Sequence, residues 1–332
     1  MTDTLQMLAL IADSAHAPLR LASIPRPAPG AGQVLVKISA SGVNPLDLKI
    51  RAGQGAHARQ ALPAVLGIDL AGTVEALGAG VEGWQPGDEV YAMATGIGGA
   101  QGSLAQFAVV DARFLARKPV NLSMREAAAL PLVLITAWEG LVDRAQVKAG
   151  QRVLVQGGAG GVGQVAVQLA RAFGADVFAT GSARNRAVIE GLGATFIDYQ
   201  ATAVEEYVAR YTDGEGFDIV YDTVGGATLD ASFQAVRLYR GHVVSCLGWG
   251  SHSLAPLSFR GATYSGVFTL LPLLNGKGRE HHGQILEQAA QLIEAGQLRP
   301  VLDPQRFSLQ TAEAAHARLL SGAAQGRLVI EI

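Results

Sequence analysis

The residues whose spacing most clearly suggests chemistry are the glycines between positions 157 and 163. Gly158, Gly160 and Gly163 satisfy the pattern G-x-G-x-x-G, although a chain with 41 glycines produces such a match easily by chance. The flanking sequence makes the match informative, because an apolar run precedes it and apolar side chains at helical spacing follow it at 161–173. Glycine permits a tight turn whose backbone N–H groups approach a phosphate, and the start of the next helix adds the positive end of its dipole. The stretch therefore predicts a strand, a phosphate-binding turn and a helix.

The residues after the next predicted strand indicate which dinucleotide the turn would bind. A carboxylate at this place accepts hydrogen bonds from a ribose 2′-hydroxyl and favours NAD, but the segment after Ala179 carries none. Ser182, Arg184 and Arg186 follow instead, and they supply hydroxyl and cationic partners for a 2′-phosphate. The alternative is that both arginines are solvated residues at a helix start. The pattern favours NADPH.

The elements around this turn divide the chain into two kinds of sequence. Up to about residue 120, short apolar or alternating runs are separated by glycine, proline and aspartate, which is typical of a β-rich domain with a small, partly open barrel. From about residue 123 to 247, strand and helix patterns alternate, which predicts βαβ units and a parallel sheet. A helix is predicted at 284–295, and the strand-like end at 327–332 suggests that the C-terminus returns to the first domain. The fold class is therefore α/β.

Composition and charge exclude several classes of protein. The net charge of −2 leaves no electrostatic signature of a nucleic-acid-binding or acidic-membrane-binding protein. The single cysteine, Cys246, excludes an intramolecular disulfide and a cysteine-rich metal site, and its apolar surroundings favour a buried strand thiol. No segment approaches the roughly 20 apolar residues of a membrane span, and the N-terminus lacks a basic region typical of a signal peptide. We expect a cytoplasmic protein.

Several motifs are spread over essentially the whole chain. They read SGVNPLDLK (41–49), GIDLAG (67–72), PGDEVY (86–91), TAW (136–138), the glycine-rich stretch 150–171, IDY (197–199), DTVGG (222–226) and GRLV (326–329). In these motifs the chain resembles the medium-chain dehydrogenase/reductase superfamily, and within it the quinone oxidoreductase (zeta-crystallin-like) branch. The resemblance implies a GroES-like catalytic domain at 1–123 and 298–332, split around a Rossmann NADP-binding domain at 124–297, with the active site in the cleft between them.

The resemblance also bears on metal binding. Asn44 stands where zinc-dependent relatives place a cysteine ligand, and Ile68 and Asp69 stand where they carry His-Glu. A catalytic zinc site cannot be assembled from those positions. The resemblance therefore implies no metal, and Asp69 is expected to be structural.

Without zinc, hydride transfer to a conjugated carbonyl requires donors that polarise its oxygen. The resemblance places Asn44, Asp47 and Lys49 beside the nicotinamide as catalytic candidates, with Tyr91 a weaker choice. Each has a structural alternative: Asn44 caps the turn before Pro45, Asp47 holds Lys49 or a backbone N–H, and Lys49 is solvated.

The resemblance implies a set of cofactor-binding residues. These residues are Thr136, Gly158, Gly160, Gly161, Val162, Gly163, Ser182, Arg184, Tyr199, Leu247, Phe268 and Arg327. Ser182, Arg184 and Tyr199 would surround the 2′-phosphate, whereas Leu247 and Phe268 would flank the nicotinamide. An alternative for Tyr199 is an ordinary aromatic residue at a strand end.

The expected activity is a zinc-independent, NADPH-dependent transfer of hydride to quinones or other α,β-unsaturated carbonyls, with a small-molecule carbonyl or quinone as the substrate and with neither nucleic acid nor membrane as a partner. An enone, 2-alkenal or enoyl-thioester reductase of the same fold is the nearest alternative. An NADPH-binding protein with little turnover is an alternative from another class. A zinc alcohol dehydrogenase is disfavoured because the zinc ligands are missing. The resemblance further suggests a homodimer or homotetramer that associates through the strand Tyr264–Phe268.

Overall fold

The computed structural model describes residues 5–332, which form two compact units. Unit 1 contains the residues up to Leu132 together with Leu270–Glu294 and Pro300–Ile332, and unit 2 contains Val133–Thr269 and Ala295–Arg299. The predicted domains had their boundaries at 123/124 and 297/298. Unit 1 thus also contains 124–132 and 270–294, and unit 2 also contains 298–299.

Unit 1 is rich in short strands, as its sequence predicts. Its strands are β1 Gln6–Ala12, β2 Leu19–Pro25, β3 Gln33–Gly42, β4 Ala64–Val65, β5 Asp69–Leu77, β6 Glu89–Met93, β7 Phe107–Asp111 and β8 Ala116–Arg117. Its first helices are α1 Pro45–Arg51 and α2 Met124–Ala128, and α3 Pro131–Trp138 begins at its boundary. One sheet has the order β2-β1-β4, and in a second sheet β3 pairs antiparallel with both β5 and β7. Apolar residues of β3, β5, β6 and β7 form the core of this second sheet.

The parallel sheet of unit 2 is built as the alternating sequence predicts. Its strands are β9 Arg152–Gln156, β10 Asp176–Gly181, β11 Thr195–Asp198, β12 Ile219–Asp222, β13 His242–Ser245 and β14 Thr263–Gly266. Its helices are α4 Gly161–Ala172, α5 Arg186–Gly191, α6 Val204–Thr212, α7 Ala227–Ala235 and α8 Ala255–Arg260. All strand pairs are parallel, in the order β11-β10-β9-β12-β13-β14. This is the strand order of a Rossmann fold.

The remaining elements return to unit 1. They are α9 Leu271–Asn275, α10 Arg279–Glu294, α11 Ala312–Leu320, β15 Phe307–Ser308 and β16 Val329–Glu331. Strand β16 pairs antiparallel with β3, which confirms the expected return of the C-terminus. Helix α10 belongs here because it packs closely on unit 1: a Cβ on Gly283 would lie 2.6 Å from the Arg113 carbonyl oxygen. The Tyr91 hydroxyl also donates to the Leu286 carbonyl at 2.6 Å.

The order of the parallel strands determines where unit 2 is suited to bind a ligand. Successive strands extend from β9 in one direction through β10 and β11, and in the other through β12, β13 and β14. Loops at the carboxyl ends of β9 and β12 therefore diverge, and ligands of open parallel sheets bind in the crevice at such a point. Within residues 5–332, every helix is too short or too polar to cross a bilayer.

Candidate functional site

The glycine turn between β9 and α4 is shaped so that only glycine fits. Gly157 has a φ of +75°, in the left-handed region, and a Cβ on Gly163 would lie 2.1 Å from the Gly157 carbonyl oxygen. A Cβ on Gly158 would lie 2.5 Å from the Cβ of Ala179. Helix α4 is capped by Gly160, whose lack of a side chain leaves the first backbone N–H groups of the helix available. These groups and the helix dipole form a cradle that fits a phosphate.

The turn is held to the neighbouring strand by Thr180. The Thr180 hydroxyl accepts a hydrogen bond from Gly157 N at 3.1 Å and donates to the Gln156 side chain at 2.8 Å. The Thr180 carbonyl accepts from Gly158 N at 2.9 Å. Thr180 is buried, and these bonds fix the turn before any ligand binds.

The residues predicted to surround a 2′-phosphate lie at the carboxyl ends of β10 and β11, which are adjacent strands. Ser182 and Tyr199 directly follow these strand ends, and Arg184 lies in a short turn after β10. Arg184 is exposed, and its side chain forms no ion pair with any described residue. Arg186 differs because it forms an ion pair with Glu190 at 3.1 Å. Of the two arginines, Arg184 is the one available for an anionic ligand.

The loops after β12 and β13 are joined through one buried carboxylate, that of Asp222. Its Oδ1 accepts from the backbone N–H groups of Val224 and Gly225 at 3.1 and 3.0 Å. Its Oδ2 accepts from the Ser245 hydroxyl at 2.6 Å, and that hydroxyl oxygen accepts from Leu247 N at 3.1 Å. Asp222 is fully buried. It therefore sets the position of both loops that end in the crevice.

In unit 1, the start of α1 positions Asn44 and Asp47. Asn44 is the cap residue, Pro45 opens the helix, and Asp47 accepts a hydrogen bond from Asn44 N at 2.8 Å. This is the sequence pattern that begins a helix, with a polar cap, an N1 proline and an acceptor at the third position. Both Asn44 and Asp47 are buried, so the start of α1 places two polar side chains in the interior.

Asn44 connects two further buried groups, Asp69 and Arg327. Its amide nitrogen donates to Asp69 Oδ2 at 2.9 Å, and its amide oxygen accepts from the Arg327 guanidinium at 2.7 Å. Arg327 also donates to the Ala129 carbonyl at 2.9 Å and lies 3.7 Å from Asp69 Oδ2. We call Asn44, Asp47, Asp69 and Arg327 the carboxyl cluster.

The carboxyl cluster contains two acidic groups but only one cation. Burial, the largest effect, raises the pKa of both Asp47 and Asp69 to about 7. Hydrogen bonds from Asn44 and Leu132 and the charge of Arg327 limit the rise for Asp69. Asp47 Oδ1, by contrast, is buried and has no hydrogen-bond partner in the described part of the chain. One shared proton would balance the charges, so the cluster can take up and release a proton near neutral pH.

Comparisons with known proteins agree with this architecture. Residues 30–120 match the family model of the alcohol dehydrogenase GroES-like domain, and residues 192–330 match that of the zinc-binding dehydrogenases. A 2-methylene-furan-3-one reductase of Solanum lycopersicum is 37% identical over 308 residues, which are 90% of this chain and 71% of that protein. A chloroplastic NADPH-dependent alkenal/one oxidoreductase of Arabidopsis thaliana is 34% identical over 90% of this chain and 72% of its own length. The crystal structure of an alcohol dehydrogenase superfamily protein from Novosphingobium aromaticivorans has a TM-score of 0.96 and 54% identity, covering 98% of this chain and 99% of that one.

The chain belongs to the medium-chain dehydrogenase/reductase superfamily. This confirms the α/β fold class, with a GroES-like domain and a parallel-sheet Rossmann domain. This superfamily member is an oxidoreductase with a nicotinamide dinucleotide, NAD(H) or NADP(H), as its cofactor. The cradle before α4 fits the pyrophosphate of such a cofactor.

The residues of this medium-chain dehydrogenase/reductase do not fit a catalytic zinc. Throughout residues 5–332, no group of three or more histidine, cysteine, aspartate or glutamate side chains is placed to hold a metal ion. At the ligand positions of zinc-dependent relatives, Asn44 and Asp69 instead bond to each other, and Ile68 is apolar.

The predicted catalytic residues of this superfamily member occupy different environments. Lys49 lies on α1 and is exposed, whereas Asn44 and Asp47 are buried in the carboxyl cluster. Their catalytic roles stay predictions. The weaker candidate, Tyr91, is fully buried and donates its hydroxyl to a carbonyl within unit 1, so it is not available to a substrate.

The other predicted cofactor residues are placed as follows. Thr136 lies on α3, buried, with its carbonyl accepting from the Tyr221 hydroxyl at 2.6 Å. Leu247 lies in the loop after β13, and Phe268 follows the carboxyl end of β14. Arg327 is buried, and its guanidinium bonds to Asn44 and to a carbonyl inside unit 1. A role of Arg327 toward the cofactor stays a prediction.

Sequence reasoning missed three positioning residues. Thr180, Asp222 and Ser245 hold the cofactor loops, yet none was predicted as a site residue, although Asp222 opens the motif DTVGG. A signal existed for two of them, because a polar residue that ends an apolar parallel strand lies at the ligand-binding edge of a sheet. Asp222 and Ser245 are the last residues of β12 and β13.

Proposed function

We propose that this protein is a zinc-independent, NADPH-dependent reductase of α,β-unsaturated carbonyls, with enones, 2-alkenals and quinones as its substrate classes. The phosphate cradle together with the unpaired Arg184 is the observation that carries this proposal. Support also comes from the two curated relatives, whose names describe reduction of unsaturated carbonyls. Bound NADPH would supply the hydride, and the reduced acceptor then requires one proton.

In this proposal the protein binds the cofactor along the carboxyl edge of the parallel sheet. Gly160, Gly161, Val162 and Gly163 present backbone N–H groups to the pyrophosphate, and Gly158 allows its close approach. Ser182, Arg184 and Tyr199 surround the 2′-phosphate. Leu247 and Phe268 flank the nicotinamide, Thr136 contacts its ribose or the pyrophosphate, and Arg327 lies nearby.

The first test is NADPH oxidation by EDTA-treated protein against a panel of quinones, enones and 2-alkenals, with NADH in parallel. We expect turnover of conjugated carbonyls with NADPH much preferred, and no loss of activity after the chelator. Tight NADPH binding without turnover of any acceptor would instead support a binding protein. Stoichiometric zinc in the purified protein, with activity lost on its removal, would overturn the zinc-independent mechanism.

A matched pair of variants tests the preference for NADPH over NADH. Arg184→Ala should weaken NADPH binding by about tenfold or more, because an exposed charge-assisted contact to the phosphate is lost, and should leave NADH binding unchanged. Arg186→Ala is the control, since this guanidinium already pairs with Glu190 and stacks over Phe196 at 4.4 Å. Equal effects of the two substitutions would argue against a phosphate site at Arg184.

For catalysis we propose that Lys49, Asn44 and Asp47 polarise the acceptor oxygen. Lys49 is an exposed donor. In the buried pair, the atoms that remain available for hydrogen bonding are the second amide hydrogen of Asn44 and Asp47 Oδ1. Lys49→Met should lower kcat at least tenfold at unchanged NADPH affinity, because one oxyanion donor contributes about 10²–10³ in rate. Lys37→Met, at an exposed lysine of β3, is the control.

We further propose a homodimer or homotetramer. Strand β14 ends the parallel sheet, so its outer backbone groups lack a strand partner among the described residues. Phe259, on the neighbouring helix α8, is exposed at 84%. Sedimentation equilibrium of the wild-type protein tests the assembly, and a monomer at micromolar concentration would refute it.

A further inference from the structure

Helix α3 continues without a break into a short π-helical segment, Glu139–Arg144. The Gly140 carbonyl accepts a hydrogen bond from Ala145 N at 3.0 Å, which is the i→i+5 spacing of a π-helix. Such segments are rare and occur frequently at functional sites. This one directly follows the part of α3 that contains Thr136, a residue that the proposed function places at the cofactor.

One side chain of the parallel sheet, that of Tyr221, fits into the junction between α3 and the π-helical segment. Its hydroxyl donates to the Thr136 carbonyl at 2.6 Å. A Cβ on Gly140 would lie 2.6 Å from Tyr221 Cζ and 2.8 Å from the hydroxyl oxygen, so glycine is required to leave room for the ring. Tyr221 is fully buried. The ring and its hydroxyl therefore fix the distance between β12 and the end of α3.

The Tyr221 hydroxyl is a donor that does not titrate in the physiological range. Burial, the largest effect, raises the pKa of Tyr221 well above its usual value of 10.0, so the phenol keeps its proton. In an interior without competing water, a hydrogen bond of this kind is stronger than it is in solvent. The bond to the Thr136 carbonyl should therefore hold at every pH at which the enzyme is assayed.

The position of Tyr221 on its strand explains why it contacts α3. Side chains alternate between the two faces of a strand, and Val220 belongs to the core that is formed with residues of α6 and α7. Tyr221 points to the opposite face of the sheet, where its hydroxyl meets α3. The next residue, Asp222, holds the loops after β12 and β13. Two successive residues at the end of β12 thus hold different elements at the crevice.

We propose that Tyr221 is a positioning residue of the cofactor site: its bond to the Thr136 carbonyl sets the place of the Thr136 side chain against bound NADPH. The inference rests on the cofactor contact of Thr136 in the proposed function, and it adds a residue that lies just outside the motif DTVGG. A displacement of about 1 Å in a group that contacts a bound molecule can have a large effect, so one hydrogen bond behind Thr136 is enough to matter.

The test compares two tyrosines in the full chain. Tyr91 is a matched control, because its buried hydroxyl also donates to a backbone carbonyl at 2.6 Å, but within unit 1. Tyr221→Phe and Tyr91→Phe should lower the thermal midpoint to similar extents, since each removes one buried hydrogen bond. In a calorimetric titration with NADPH, Tyr221→Phe should weaken binding about fivefold, whereas Tyr91→Phe should stay within about twofold of the wild type. With an enone acceptor, Tyr221→Phe should raise the KM for NADPH about fivefold and leave kcat within about twofold.

A double-mutant cycle shows whether Tyr221 acts through Thr136. Thr136→Val removes the hydroxyl and keeps the branched shape, and it should weaken NADPH binding about tenfold. In this background, Tyr221→Phe should weaken binding less than about twofold further, because the group that it positions is already gone. Additive losses would overturn the inference, since Tyr221 would then act on the cofactor by another route. Normal NADPH binding by either single variant would also overturn it.

The outcomes separate the inference from the proposed function. If the wild-type protein reduces no acceptor but NADPH binding shows the non-additive loss, the proposed reductase activity fails and the positioning role of Tyr221 stands. If conjugated carbonyls are reduced and Tyr221→Phe loses thermal stability at an unchanged KM for NADPH, the activity stands and the positioning role fails.

Discussion

The carboxyl cluster should make the protein less stable as the pH rises through neutrality, and Asp47→Asn should remove much of this dependence. Folding raises the pKa of Asp47 from 3.8 to about 7, so between these values the folded state binds a proton that the unfolded state has released. Stability contributed by this proton is fully present below pH 3.8 and is lost as the pH rises toward 7. Each pKa unit corresponds to about 1.4 kcal/mol, which gives a total cost of about 4 kcal/mol above pH 7. Of this, about 2–3 kcal/mol should appear between pH 5 and pH 8.

The assay is urea unfolding of the wild type and of Asp47→Asn at pH 5, 6, 7 and 8. All other titrating groups are common to both proteins, so the difference in unfolding free energy isolates Asp47 and its coupling to Asp69. We expect this difference to shift by about 2–3 kcal/mol in favour of the variant from pH 5 to pH 8. Asparagine resembles the protonated carboxyl and still accepts the hydrogen bond from Asn44 N, which limits the damage to the helix start.

Two further variants make the test sharper. Asp176→Asn, at an exposed carboxylate on β10, is the control and should change the unfolding free energy by less than about 0.5 kcal/mol. Asp69→Asn should destabilise, because it leaves the Arg327 guanidinium buried without its carboxylate, and its difference should also shift in favour of the variant from pH 5 to pH 8, because the pKa of Asp69 is likewise raised to about 7. A flat difference curve for Asp47→Asn would refute the reasoning, since it would mean that Asp47 is ionised across this range and that its burial is compensated by contacts we have not identified.

Three other predictions concern the loops and the interior. Asp222→Asn and Ser245→Ala should each lower the free energy of unfolding by about 1–3 kcal/mol, measured by urea unfolding. Because the two side chains share one buried hydrogen bond, their double-mutant cycle should show a coupling energy above about 0.5 kcal/mol. Additive effects of the two substitutions would contradict this prediction. Gly163→Ala should abolish NADPH binding in a fluorescence titration, because its Cβ meets a carbonyl oxygen, whereas Gly191→Ala, which meets nothing within 4 Å, should bind normally. Tyr91→Phe should lower the thermal midpoint, because it removes a buried hydrogen bond from the Tyr91 hydroxyl to the Leu286 carbonyl, but should keep kcat unchanged; a fall in kcat with no loss of stability would return Tyr91 to the catalytic candidates.

The elements that the sequence predicted well are those whose signal is local. The strand predicted before the glycine turn is β9, Arg152–Gln156, and α4 ends one residue before the end of the predicted helix at 161–173. The strand β2 and the helix α11 were not predicted. Strand β2 gains its conformation from seven paired residues of β1, and such pairing partners cannot be identified from its own weak alternation. The units of the structure differ from the predicted domains for a related reason. The sequence of helix α10 has the pattern of a surface helix, which does not show on which unit the helix packs. The close approach of Gly283 to a carbonyl of unit 1 shows that α10 packs on unit 1.

The same distinction explains which parts of the candidate site were visible in the sequence. The glycine turn was predictable because the tight turn, the close approach and the helix dipole all act within a few residues. The carboxyl cluster was not, because Asn44 meets Arg327 across 283 residues of chain and Asp69 across 25. Residue types alone showed that Asn44 and Ile68 replace metal ligands, but they did not show that a guanidinium and a proton balance the carboxyl charge there. The buried acids are therefore better understood from their partners than from their positions in the motif. Asp69 receives the charge of Arg327 and two hydrogen bonds, whereas Asp47 receives a hydrogen bond from Asn44 N and has the unpaired oxygen Oδ1, so we expect Asp47 to carry the larger part of a proton shared near neutral pH.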